Sequence, residues 1–114
     1  MDFIQDQSSE RREYPRIELE TKISVKTPER SSIIGWIQNI SLGGFKLKAD
    51  ILSNFKDIFH IGEEVFFETS EAFFMLKGKG RIIWTAPGEN WAGVKFDELD
   101  HYSGKFLKDF LKMF

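Results

Sequence analysis

The sequence predicts an all-β fold: a six-stranded antiparallel β-barrel finished by one C-terminal α-helix. Three observations predict it. Apolar and polar residues alternate one by one over most of the chain, the signature of strands buried on one side only. The alternating runs are short and are separated by turn residues. From Leu99 onward the period changes, and Phe106, Leu107, Phe110, Leu111 and Phe114 fall on one helical stripe flanked by Lys105, Lys108 and Lys112. Consecutive antiparallel strands that are apolar on one face can remove their exposed edges by closing into a barrel.

Each element has its own justification. Residues 1–10 are polar and aperiodic, and read as a flexible arm ahead of one domain over residues 11–114. Ile17, Leu19, Ile23 and Val25 alternate with Glu18, Glu20, Lys22 and Lys26, which predicts the first strand, and TPERSS turns the chain. IIGWIQNI predicts the second strand, with Ile34, Trp36 and Ile40 inward and Asn39 outward. SLGG breaks it, and FKLKAD resumes with Phe45, Leu47 and Ala49 inward and Lys46, Lys48 and Asp50 outward. Ile51, Leu52, Phe55, Ile58 and Phe59 are spaced for a short helix that plugs one end of the sheet. GEEVFFETS and AFFMLKGKGRIIWT predict a hairpin, with Phe74, Leu76, Gly78, Gly80, Ile82 and Trp84 inward. Glycine on an inward face permits a sharp bend or the close approach of another backbone. APGEN turns the chain again, and WAGVKFDE places Ala92, Val94 and Phe96 inward.

Composition narrows the function. The chain has 114 residues, no cysteine and a formal net charge of −2. One domain of this size buries a core without disulfides or a thiolate metal site, and a reducing cytoplasm is the expected compartment. No stretch approaches the ~20 apolar residues of a membrane span, and the N-terminus lacks the pattern of a signal peptide. An acidic balance opposes bulk capture of nucleic acid, so an anion site must be local. His60 and His101 fall on different elements, and no metal-ligand spacing, nucleophile elbow or P-loop is present. The expectation is a protein that is not an enzyme and has neither cofactor nor metal.

Two stretches remain for chemistry. Arg11, Arg12 and Arg16 crowd three of the five arginines of an acidic chain into the approach to the first strand, with Pro15 stiffening the segment. A guanidinium is a planar fork of donors that fits a phosphate and stacks on flat rings. Alone, the cluster also reads as a basic patch paired with Glu10, Glu13 or Glu18. The second stretch is NISLGG. Asn39 offers an amide that can read a base edge, Ser41 a hydroxyl for phosphate or base, and Gly43 and Gly44 allow a tight turn and close approach of a ligand. Alone, it too reads as an ordinary strand connection with local turn bonds.

Together, Arg12-Glu13-Tyr14-Pro15-Arg16 as RxxxR and Asn39-Ile40-Ser41-Leu42-Gly43-Gly44 as [D/N]xSxxG resemble the PilZ domain family. The resemblance extends through GKGRIIW and WAGVKF to the closing helix. It implies a barrel of PilZ type and a bacterial receptor for cyclic di-GMP, the ligand in place of any cofactor. It implies that Arg12 and Arg16 clamp phosphate and stack on guanine, with Arg11 as a further contact. Asn39, Ser41 and Gly44 supply the second half of the site, Asn39 holding the position often taken by aspartate. Trp84 and Trp91 flank the last hairpin, where the resemblance implies an aromatic that in some relatives touches the ligand; the parity of Ile82 favours the core for Trp84.

With no catalytic output, such a receptor is expected to signal by ordering its N-terminal arm, read by a protein partner of motility, adhesion or exopolysaccharide machinery. The alternative is a PilZ-like adaptor that needs no nucleotide, favoured by any exposure of the phenylalanine stripe. A third reading, a barrel for single-stranded nucleic acid, requires aromatics on an outward basic groove, whereas the aromatic residues here follow the inward face.

Overall fold

The computed structural model describes residues 17–28, 32–50, 59–69, 71 and 73–113. Six strands form within them: β1 (Ile17–Lys26), β2 (Ile33–Ile40), β3 (Gly44–Ala49), β4 (Glu64–Thr69), β5 (Lys77–Ala86) and β6 (Trp91–Leu99), followed by helix α1 (His101–Leu111). All neighbouring strands are antiparallel, and the order β1-β2-β3-β6-β5-β4 closes on itself. The predicted fold class therefore stands. The short helix expected around Ile51, Leu52, Phe55 and Ile58 lies outside the described residues; Phe59, the last of that stripe, is buried in the core.

The barrel interior is filled by the alternating apolar positions: Ile23 and Val25 of β1, Phe45 and Leu47 of β3, Val65 and Phe67 of β4, Ile82 of β5, and Ala92 and Val94 of β6. Phe45 and Phe67 meet edge to face at 5.2 Å, and Phe96 tilts against both rings. Burying one such side chain stabilises the fold by about 1.5–3 kcal/mol. Gly78 and Gly80 pair with Phe67 and Val65 and share their inward face, as expected. A Cβ at either would come within 2.3 Å of a carbonyl oxygen of β6, so glycine here admits the neighbouring backbone.

Two parity expectations fail, both at bulges. Ile34 is 39% exposed and Trp36 is only partly buried, while Gly35 and Ile37 point inward. The β2–β3 register shifts between Ile37 and Asn39. Ile37 and Ile40 can then both face the core although they are three residues apart. Counting back by twos from Ile40 crosses that extra residue and inverts every position before it. Trp84 is the second correction. The β5–β6 register shifts between Ile82 and Trp84, and the indole lies against Gly93, whose neighbours Ala92 and Val94 point inward. Trp84 therefore covers the outside of the barrel.

The β4–β5 connection is longer than the alternation suggests. Phe74 and Leu76 are buried but precede β5. Thr69 holds them: its hydroxyl donates to the Phe74 carbonyl at 2.6 Å and accepts from the Leu76 N–H at 3.1 Å. Phe74 then receives the edges of Phe106 and Phe110 from α1 at 5.2 and 5.0 Å, and Leu107 is buried beside them. Asp100 caps the helix, accepting from the Ser103 N–H at 2.8 Å, and the Ser103 hydroxyl accepts from the Lys77 N–H at 2.7 Å. The bond from the Ser103 N–H, followed by that from its hydroxyl, holds the Asp100 carboxyl below the ordinary aspartate range.

Candidate functional site

The turn joining β2 to β3 is built by its own side chain and by β6. The Ser41 N–H donates to the Gly44 carbonyl at 2.9 Å, which closes a two-residue loop. The Ser41 hydroxyl accepts from the Gly43 N–H at 3.1 Å, and the Phe96 N–H donates to the Gly43 carbonyl at 2.9 Å. Ser41 is 8% exposed, so its rotamer is held by the turn. A hydroxyl that accepts one bond keeps its own proton to donate. A Cβ at Gly44 would lie 2.0 Å from the Val94 carbonyl oxygen. Gly44 is thus demanded by the packing of β3 on β6, whether or not a ligand approaches it.

Asn39 is half-buried at the bulge and pairs across β1 with Glu18 and across β3 with Lys46. Lys46 in turn pairs with Gly93 of β6, and Gly93 with Trp84 of β5. Asn39, Lys46 and Trp84 therefore line one cross-strand row on the outside of the barrel. Three inter-strand steps of ~4.8 Å make that row about 14 Å long. A methyl group at Gly93 would fall 2.1–2.6 Å from indole atoms, so the missing side chain is what lets Trp84 lie flat there. One pleat repeat away, Trp36 of β2, Lys48 of β3 and Trp91 of β6 form a second row. They border a groove of about 280 Å³ that also touches Glu20, Gln38 and Asp50. Lys46 joins the two rows: its Nζ stands 3.8 Å from the Trp91 ring centroid, with the Lys48 Nζ at 5.5 Å.

Arg11, Arg12 and Arg16 lie outside the described residues. The position where the chain enters the barrel is described: Ile17, next after Arg16, pairs with Ile40, next before Ser41. The register thus sets Ile17, the first described residue of β1, opposite the residue that leads into the turn carrying Ser41 and Gly44. Sequence reasoning set Lys46 outward but did not join it to Asn39. The signal was present, because closing the turn at Ser41 and Gly44 and counting outward pairs Ile40 with Phe45 and Asn39 with Lys46. No comparable signal placed Trp84, since the bulge after Ile82 leaves no mark in the residue pattern. No group of histidine, aspartate and glutamate residues suited to holding a metal ion occurs among the described residues, and no described helix is long and apolar enough to cross a membrane.

Comparison with known proteins gives one family and one fold. The PilZ domain family model matches residues 10–112. A search of curated proteins gives no significant match. Among solved structures, the inhibitor of motility MotI/DgrA from Bacillus subtilis superimposes with a TM-score of 0.66 at 20% identity, covering 90% of this chain and 50% of that one. The chain thus spans half the length of that relative. The PilZ domain of YcgR from Escherichia coli, solved with c-di-GMP, gives 0.71 at 15% identity, with 90% of both chains covered. The PilZ domain of CeSA from a cellulose-synthesizing bacterium gives 0.63 at 15% identity, covering 87% of this chain and 96% of that one.

Proposed function

The chain belongs to the PilZ domain family, and from that premise we propose that it is a receptor for cyclic di-GMP that has no catalytic output. The observation that carries the reading is the pairing of Ile17 with Ile40: the residue that follows RxxxR in the sequence lies opposite the one that precedes Ser41 of the complete NxSxxG turn. Arg12 and Arg16 grip the phosphates and stack on guanine, with Arg11 beside them. Asn39 reads a guanine edge, Ser41 donates its hydroxyl proton, and Gly44 keeps the turn flat against β6. The YcgR structure, a PilZ domain with c-di-GMP, supports the choice of ligand.

The signal in this reading is an order–disorder change. Residues 1–16 carry no apolar periodicity, and ordering backbone costs about 1–2 kcal/mol per residue. Guanidinium–phosphate bonds offset that cost for residues 11–16, and a protein partner in the cytoplasm reads the altered surface. MotI is an inhibitor of motility and CeSA comes from a cellulose-synthesizing bacterium, which supports motility or exopolysaccharide machinery as the class of partner. The nucleotide-independent adaptor drew on exposure of part of the phenylalanine stripe; Phe106 and Phe110 are partly buried, packed against Phe74, and the intact motifs favour the receptor. Calorimetric titration of the full chain tests the proposal. Cyclic di-GMP should give saturable heat, while the linear dinucleotide, GTP and a single-stranded oligonucleotide give none at equal concentration. Absence of heat with cyclic di-GMP at tens of micromolar protein sinks the receptor reading.

A further inference from the structure

Lys46 has no role in either sequence motif, yet it occupies the middle of the row that starts at Asn39. The two residues are directly opposed across β2 and β3, and Lys46 follows the 39–44 turn by two positions on the same outer face. We propose that Lys46 contacts a phosphate of the bound cyclic dinucleotide, and that in the free protein its ammonium rests on the face of Trp91. The inference rests on the receptor reading and adds a residue and an exchange of partners to it.

Charge and geometry carry the argument. In a chain of net charge −2, a ligand with two phosphates needs its cations close at hand. Directly opposed residues on paired strands have Cβ atoms about 5 Å apart, so the Lys46 side chain starts beside whatever Asn39 touches. Its four-carbon stem lets the ammonium swing without moving β3. Lys48 starts one pleat repeat further from the turn, about 7 Å along the strand. The free-state partner suits an exchange. Lys46 Nζ lies 3.8 Å from the centre of the Trp91 ring, a cation–π contact on a partly exposed surface. Such a contact is weaker than a charge-assisted hydrogen bond to phosphate, so moving from ring to phosphate is favourable. The contact keeps the ammonium next to the site and out of bulk solvent until ligand arrives. It also links ligand binding to Trp91 and the groove it shares with Trp36 and Lys48.

The test combines calorimetry with tryptophan emission on the full chain, using cyclic di-GMP as the probe. Lys46→Ala and Lys46→Gln should each weaken binding about tenfold or more and flatten its salt dependence, whereas Lys48→Ala should do neither. Wild-type emission should change on saturation. Trp91→Phe should abolish that change, and so should Lys46→Gln at saturating ligand. A merely structural role for Lys46 would lower the melting temperature without altering affinity or salt dependence. Equal affinity of wild type and both Lys46 variants overturns the inference and leaves the receptor reading standing. An emission change that persists in saturated Lys46→Gln shows a tryptophan sensing ligand without Lys46, and overturns the exchange. Failure of the wild type to bind removes both readings together.

Discussion

Trp84 lies where it does because residue 93 has no side chain. The indole occupies the volume a Cβ would need, with three ring atoms inside 2.6 Å of that position. A rigid ring cannot give way as the tip of a lysine can. Gly93→Ala should therefore lift the ring off the barrel and cost about 1–3 kcal/mol, the usual range for overpacking. Chemical denaturation followed by tryptophan emission would show both the lost stability and a more exposed indole. An unchanged midpoint would mean that the ring has another place to go. Arg12 and Arg16 carry a different kind of prediction, because their work is proposed to be on the ligand alone. Arg12→Ala and Arg16→Ala should each reduce cyclic di-GMP affinity about tenfold or more, the worth of a lost charge-assisted hydrogen bond. Their melting temperatures should stay near wild type, since both residues precede the first core position of β1. Unchanged affinity in both variants would place the ligand elsewhere.

At the scale of the element, single-sided alternation proved a sound guide for β1, β3, β4 and β6, because in a closed barrel only one face of a strand meets the core. It misled in β2 and across the middle of β5. Each contains a register shift, and a bulge reverses parity without changing the residue types around it. Ile34 and Trp36 therefore look like core residues by composition and stand outside by geometry. The helix was legible from its apolar stripe, but its anchoring was not. Phe74, far away in sequence, receives Phe106 and Phe110, and no periodicity records such a meeting. Leu107 is buried under the same cluster, so Leu107→Ala should cost about 2–5 kcal/mol while leaving the ligand affinity of the folded protein unchanged. The cap of α1 adds a pH dependence. The Asp100 carboxyl is depressed by its bonds to Ser103, so its contribution is present above the unfolded pKa and lost as pH falls through the folded one. Asp100→Asn, which keeps a capping oxygen, should remove part of the acid-side loss of stability seen in melting curves below the ordinary carboxylate range. Identical acid limbs in the two proteins would show that the cap does not titrate as described.

For the molecule as a whole, closure of the barrel explains why the proposed site is on the outside. The interior is filled by phenylalanine and aliphatic side chains, and every described strand is hydrogen-bonded to a neighbour on each side. A ligand is left with the outer surface, and the proposed site lies on it where β2, β3, β6 and β5 run side by side. There a turn fixed by three hydrogen bonds meets the point at which the chain enters β1. Both motifs could be read in the sequence; the Ile17–Ile40 pairing across the first hairpin could not. If the arginine segment and the 39–44 turn form one cyclic di-GMP site, amide hydrogen exchange with and without ligand will register both together. Cyclic di-GMP should slow exchange over residues 11–16 and over the 39–44 turn, while α1 is protected equally in both states. Bound ligand that leaves exchange across residues 39–44 unchanged would contradict a single shared site.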